Sequence, residues 1–221
     1  QKIVHFQTMT KFEKPKKVSL GKIRKIINQF RRSSELARNA GFDGVEIHGA
    51  HGYLVHSFST FDANQRKDIY NSKSNLFSSQ LIEECKSVLG KTLLSYRISL
   101  HTVDNPYAKY SKDIYNIPSL IKALDKAGVD IFHCSEVKAG ENMFGSNESL
   151  LELVRKNTKK KIITCGGIDS LEKIKRLDKK GADYFAFGRS ALSNRDLVKK
   201  IISKKRLIKF EYEKHFYETR N

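Results

Sequence analysis

Gly41-Phe42-Asp43-Gly44-Val45-Glu46-Ile47-His48-Gly49-Ala50-His51-Gly52-Tyr53-Leu54 is the stretch that decides the fold. Gly41 stops a helix, because glycine is the common residue just past a helix C-terminus. Val45-Glu46-Ile47 then reads as a short strand, and His48 to Tyr53 leave its end as a polar segment. The helix before it starts at Ser19, an N-cap residue. Its apolar residues recur at helical spacing from Ile23 through Ile26, Ile27 and Phe30 to Leu36. The unit is helix, glycine turn, strand.

The same unit repeats down the chain. Helices are expected around Gln80–Leu89, Pro118–Ala127, Glu148–Asn157 and Ser170–Lys180, and a last one from about Arg195 to Lys204. Strands are expected at 45–47, 92–98, 129–134, 161–165 and 183–187, and Ile3-Val4-His5-Phe6 is a weak further candidate. Alternation at this spacing means βαβ units and a parallel sheet. Gly128-Val129-Asp130 and Gly181-Ala182-Asp183 resemble the turns that enter the strands of a (β/α)8 barrel. Five strands are counted where a barrel needs eight, so about five β/α units of an α/β barrel are expected, without the first strands. A chain starting at Gln1 rather than Met fits a partial protein. The domain reading is a loop segment over 1–17, barrel over 18–205 and a tail over 206–221.

Composition narrows the classes. The 221 residues can bury a core without staples. No apolar run reaches the ~18 residues of a membrane helix, and no signal peptide is expected. The net charge of +18 raises nucleic acid as a partner. Yet 30 of the 42 cations are Lys, spread along the chain, whereas specific readers of nucleic acid favour the planar fork of Arg. A solvated Lys-rich surface is expected, with neither a specific nucleic acid nor a membrane as partner. Cys85, Cys134 and Cys165 are few, odd in number and far apart, which fits a reducing cytoplasm. Cys134 and Cys165 end apolar runs and read as buried structural thiols.

The C-terminal ends of barrel strands form the active face. There His48, His51 and Tyr53 arrive together. Two imidazoles can donate to a substrate oxygen gaining negative charge while a phenol delivers a proton. A His-rich loop without chemistry is the equal alternative. No metal is expected, because Glu46 is the only nearby carboxylate and alternation is taken to turn it away. Gly166-Gly167 and Gly188-Arg189 follow the last two strands, where barrels commonly hold phosphate. Glycines let backbone N–H groups approach the anion, and Arg189 adds a charged fork. Arg97 projects from an apolar strand and needs an anionic partner, either a ligand or an internal carboxylate.

The motif from Gly41 to Leu54 resembles the old yellow enzyme family, the flavin-dependent NAD(P)H oxidoreductases. The resemblance continues through Phe58-Ser59, Asn64-x-Arg66-x-Asp68-x-Tyr70, Tyr96-Arg97-Ile98-Ser99, Cys165-Gly166-Gly167-Ile168, Phe187-Gly188-Arg189-Ser190 and Asn194-Arg195-Asp196-Leu197. It spans about residue 18 to residue 202. After Tyr70 the chain departs from the family's Gly-Gly-Ser turn and Glu-Asn-Arg helix start. The resemblance implies an FMN barrel using NADH or NADPH to reduce an enone-like small molecule. His48 and His51 would hold the carbonyl oxygen and Tyr53 would protonate carbon. Arg97 would sit against the pyrimidine end of the flavin, and Gly166, Gly167, Gly188 and Arg189 would hold its phosphate.

Two other readings stand beside it. A non-catalytic or split barrel would need an N-terminal complementing fragment, or a second copy, to cover its open edges. An RNA-modifying FMN barrel would suit the charge, but such enzymes carry an Asn and a Gly-Cys-Pro turn where this chain has His48 to Tyr53.

Overall fold

A computed structural model describes residues 16–103, 105 and 108–211. The candidate strand Ile3-Val4-His5-Phe6 lies outside the described residues. Ser19 caps α1 (Leu20–Asn39) by accepting from the Lys22 N–H, and the helix buries Ile23, Ile26 and Ile27. β1 (Gly44–His51) is longer than 45–47 and runs through the first four residues of the expected loop. A short helix follows that the sequence pattern did not signal, α2 (Leu54–Ser59). α3 (Leu76–Leu89) starts four residues before Gln80 and leads into β2 (Leu93–Thr102). α4 (Ile117–Ala127) is capped by Asn116 and stopped by Gly128 at φ +105°, a conformation glycine adopts without strain.

β3 (Ile131–Ser135) precedes α5 (Leu150–Asn157), whose start is a capping box between Ser149 and Glu152. Glu148 therefore lies outside the helix expected to include it. β4 (Lys161–Cys165) has the expected bounds and leads to α6 (Leu171–Lys179). β5 (Tyr184–Ala186) is shorter than expected. The last helix is two: α7 (Arg189–Ser193), then α8 (Leu197–Ile202). No helix of the described residues is long and apolar enough to cross a membrane.

The sheet is parallel throughout, in the order β1-β2-β3-β4-β5. A strand order that never reverses, with the right-handed crossovers general to such units, puts successive helices on one face, the winding of a barrel rather than of a doubly wound sheet. α1 packs on α3, α3 on α4 and α4 on α5 accordingly. Beneath them lie Leu94, Tyr96 and Ile98 of β2, Phe132 and Cys134 of β3 and Ile162 of β4, all fully buried. The other sheet face is polar and carries the site.

The loop after α2 is tied down by side chains of the Asn64-x-Arg66-x-Asp68-x-Tyr70 motif. Arg66 grips both carboxylate oxygens of Asp68 at 3.0 and 2.7 Å and donates to the Val18 carbonyl at 2.6 Å. Buried Asn64 donates from Nδ2 to the carbonyls of Phe58 and Tyr70, each at 2.8 Å. Asn64→Ala leaves both carbonyls without that donor and should cost roughly 2 kcal/mol of stability, read from urea unfolding. A change under about 0.5 kcal/mol would show that the loop holds without this anchor.

Candidate functional site

Register places the polar side chains. His48, Arg97 and His133 pair in one row across β1, β2 and β3, and Ser135, Cys165 and Ala186 pair in the next across β3, β4 and β5. Side chains two apart in a strand share a face, so Glu46 lies with His48 rather than away from it. The expectation that alternation turns Glu46 away is therefore corrected. Glu46 instead accepts from Ser95 Oγ at 2.9 Å, meets His133 Nδ1 at 2.9 Å and lies 4.0 Å from the Arg97 guanidinium.

The segment His48 to Tyr53 owes its composition to packing as well as chemistry. A Cβ at Gly49 would sit 2.2 Å from the buried ring of Tyr96, so only glycine fits there. His51 and Gly52 take positive φ, +62° and +81°, and turn the chain off the strand. For His51 this is a strained conformation. The Gly52 N–H donates to Nδ1 of buried His56 at 2.7 Å. The rings of His48 and His51 lie 5.2 Å apart, those of His48 and Tyr53 5.3 Å, and those of His51 and His101 4.8 Å. Tyr53 is half exposed. His51 Nε2 meets Ser135 Oγ at 2.9 Å, and Ser135 Oγ accepts from Arg97 Nη2 at 3.3 Å. Ser135 thus bridges His51 to the arginine.

Burial, then the positive field of Arg97, lowers the His48 pKa. Burial and the His101 ring push His51 down to about 4. His56 also falls to about 4, chiefly through burial, and it must stay neutral to accept from Gly52. These rings are uncharged at neutral pH and can act as hydrogen-bond donors without a net charge.

A second cluster escaped the sequence reading. Burial opposes charge on His133, but the adjacent Cys165 thiol and the hydrogen-bonded Glu46 carboxylate outweigh it and raise the ring to about 9. Burial alone would raise Cys165, yet His133, Ser135 and Arg97 bring the thiol down to about 7. Ser135 Oγ and Arg97 Nη2 stand 3.4 and 3.5 Å from its sulfur. Cys134 is a buried thiol as expected, but Cys165 is only half-buried and faces the site, which corrects that expectation. The available signal was the polar pair His133 and Ser135, two apart in an otherwise apolar strand.

Arg97, Gly166, Gly167, Gly188 and Arg189 line one cavity of about 890 Å³, together with His133 and Cys165. His48, His51 and Tyr53 are not in its wall; His51 adjoins it through Ser135, and His48 pairs in register with Arg97. Gly166, at φ +140°, has no room for a Cβ, which would lie 2.3 Å from the Glu136 carbonyl. A Cβ at Gly188 would meet nothing within 4 Å, so that backbone is open to the cavity. The Arg97 Nε is buried without a hydrogen-bond partner, a donor the protein does not itself satisfy. An open glycine backbone, an unsatisfied guanidinium donor and a second Arg fit an elongated phosphate-bearing ligand such as FMN. Leu207 to Phe210, placed in the tail by the sequence reading, also line the cavity. Asn194 pins them by exchanging hydrogen bonds with the Ile208 backbone at 2.9 and 3.0 Å. Among the described residues no group of three or more His, Cys, Asp or Glu is placed to hold a metal ion.

The model of the NADH:flavin oxidoreductase / NADH oxidase family matches residues 2–207. The chain is 30% identical over 200 residues to 12-oxophytodienoate reductase 2 of Arabidopsis thaliana, covering 86% of this chain and 52% of that protein. The old yellow enzyme homologue from Zymomonas mobilis superposes with a TM-score of 0.77 at 22% identity, over 94% of this chain and 59% of that one. Morphinone reductase superposes with a TM-score of 0.73 at 23% identity, over 92% and 55%. The fold is that of the (β/α)8 barrel of these enzymes, and the chain spans about half the length of the relatives it matches.

The histidine environments set a pH dependence. A folded-state pKa below the unfolded value means that the unfolded chain takes up protons first as pH falls. His51 and His56 therefore contribute stability that is present above about pH 6.5 and lost as pH falls toward 4. Ring proton shifts in an NMR titration should place both midpoints near 4 and that of His133 near 9. Midpoints near 6.5 for all three would contradict this picture of the site.

Proposed function

The chain belongs to the NADH:flavin oxidoreductase / NADH oxidase family, and we propose that it carries the phosphate-binding and proton-delivering half of an FMN site that reduces an activated C=C bond. The observation that carries the proposal is convergence: Arg97, Gly166, Gly167, Gly188 and Arg189, from three strands, line one cavity. Bound there, FMN would take hydride from NADH or NADPH and supply it to an enone-like substrate. Gly166, Gly167 and Gly188 would offer backbone to the phosphate, and Arg189 its guanidinium. Arg97 would hold the negative charge of the ring's pyrimidine end, with its unsatisfied Nε as donor.

His48 and His51 would donate to the substrate carbonyl oxygen as negative charge develops there. His51 Nε2 lies 2.9 Å from the Ser135 hydroxyl, so the tautomer of the ring decides which nitrogen would donate. Tyr53 would protonate carbon from the outer side of the ring cluster. The edges of β1 and β5 would be closed in the working enzyme by further strands or by a second chain.

Arg189→Ala should weaken FMN binding about tenfold or more in a fluorescence titration, since a charge-assisted bond to phosphate is directional and strong. Lys160→Ala, on the exposed basic run, should change it less than about twofold. Equal losses would sink the specific phosphate site. In the assembled enzyme, Tyr53→Phe should slow enone reduction by roughly 10²-fold or more and leave reduction of the flavin by NAD(P)H nearly intact. Stopped-flow measurement of the two half-reactions separates these effects, and equal slowing of both would remove Tyr53 as the acid.

A further inference from the structure

The strongest feature outside these roles is the thiol on β4. Cys165 lines the cavity with His133 and Arg97. Its sulfur is 3.5 Å from Arg97 Nη2 and 3.4 Å from Ser135 Oγ. His133 is fixed at Nδ1 by Glu46 at 2.9 Å, and Glu46 is held in turn by Ser95 at 2.9 Å. The His133 side chain is 9% exposed, and its other nitrogen, Nε2, is buried with no hydrogen-bond partner. Carboxylate, imidazole, thiol and guanidinium thus stand together at the wall of a cavity large enough for a small organic ligand.

We propose that Cys165 is a nucleophilic thiol and that this cavity takes an α,β-unsaturated carbonyl compound which adds covalently to it. A thiolate is a soft nucleophile, and only the thiolate attacks. Arg97 and protonated His133 supply the positive charge that favours it. The Cys165 sulfur pair forms a C–S bond at the β-carbon, and the C=C π bond breaks toward the carbonyl. The α-carbon then takes the proton from His133 Nε2, leaving a thioether and a neutral imidazole. The step is an addition with no net oxidation, so no further reactant is needed. The step needs no flavin, and FMN bound in the same cavity would compete with it.

The charged and titratable groups that act on Cys165 come from every neighbouring element. They are Arg97 of β2, His133 and Cys134 of β3, and Glu136 in the loop after β3, while Glu46 of β1 acts through His133. Glu136 is raised to about 7 by burial, so it adds a second negative charge as the pH rises through that value. The other two thiols, Cys85 and Cys134, are 0% exposed and serve as internal controls.

The test uses the full chain and N-ethylmaleimide, itself an α,β-unsaturated dicarbonyl, at less than one equivalent. Peptide mass spectrometry should find the adduct on Cys165, with Cys85 and Cys134 unlabelled while the protein is folded. The rate against pH should have its midpoint near 7, and the ultraviolet absorbance of the thiolate should rise with the same midpoint. His133→Gln should slow labelling at pH 7 roughly fivefold, because the loss of thiolate outweighs the gain in nucleophilicity that accompanies a higher pKa. Should that variant not fold, the rate profile and absorbance of the unsubstituted chain decide alone. Labelling of Cys85 or Cys134 as fast as Cys165, a midpoint in the ordinary thiol range near 8.5, or an unchanged rate in a folded His133→Gln protein would each overturn the proposal.

Discussion

The structure depends on the two-residue alternation of a parallel ladder held in one register across five strands. In β2, Leu94, Tyr96 and Ile98 go under the helices while Ser95, Arg97 and Ser99 go to the other face. In β3 the same split sends Phe132 and Cys134 one way and His133 and Ser135 the other. A slip of one residue would place Arg97 and His133 in the apolar layer, where an unpaired charge is costly, and bring Tyr96 and Phe132 out of it. Burial of the helix-side residues and assembly of the site are therefore one event.

That register brings several groups together whose charges only make sense jointly. Arg97 Nη1 has Glu46 at 4.0 Å, and its buried Nε has no hydrogen-bond partner. Glu46 is shared with His133 and Ser95, and the positive charges of Arg97 and His133 press on the Cys165 thiol. The internal carboxylate and the external anion, weighed as alternative partners for Arg97, are both compatible with this geometry. Burial first, and then the field of Arg97, lower the pKa of the neighbouring His48. One cationic cluster can thus recruit an anionic ligand and set the protonation of the rings beside it.

Much of this was legible in the sequence. Ser19, Gly41, Gly128 and the spacing of isoleucines and leucines marked the helices, because caps and periodicity act locally. The five strands and the cluster of His48, His51 and Tyr53 were visible for the same reason. The length of β1 was not, because His48 to Tyr53 reads as a polar segment leaving the strand. Gly49 in fact serves the ring of Tyr96, a contact between strands some 47 positions apart in the chain. The cluster of Cys165, His133 and Glu46 was hidden likewise, since it exists only once β1, β3 and β4 are in register. The return of Leu207 to Phe210 to the cavity rests on Asn194, a pairing that no local pattern signals.

The central claim is that the glycine loops after β4 and β5, with Arg189, form a phosphate site continuous with Arg97. Its most direct test is calorimetric titration of the chain with FMN and, separately, with riboflavin, which differs by lacking the phosphate. The account predicts that FMN binds at least about tenfold more tightly than riboflavin, the difference expected of a charge-assisted phosphate contact, and that the preference shrinks as salt is raised. Equal affinity for the two ligands would contradict it.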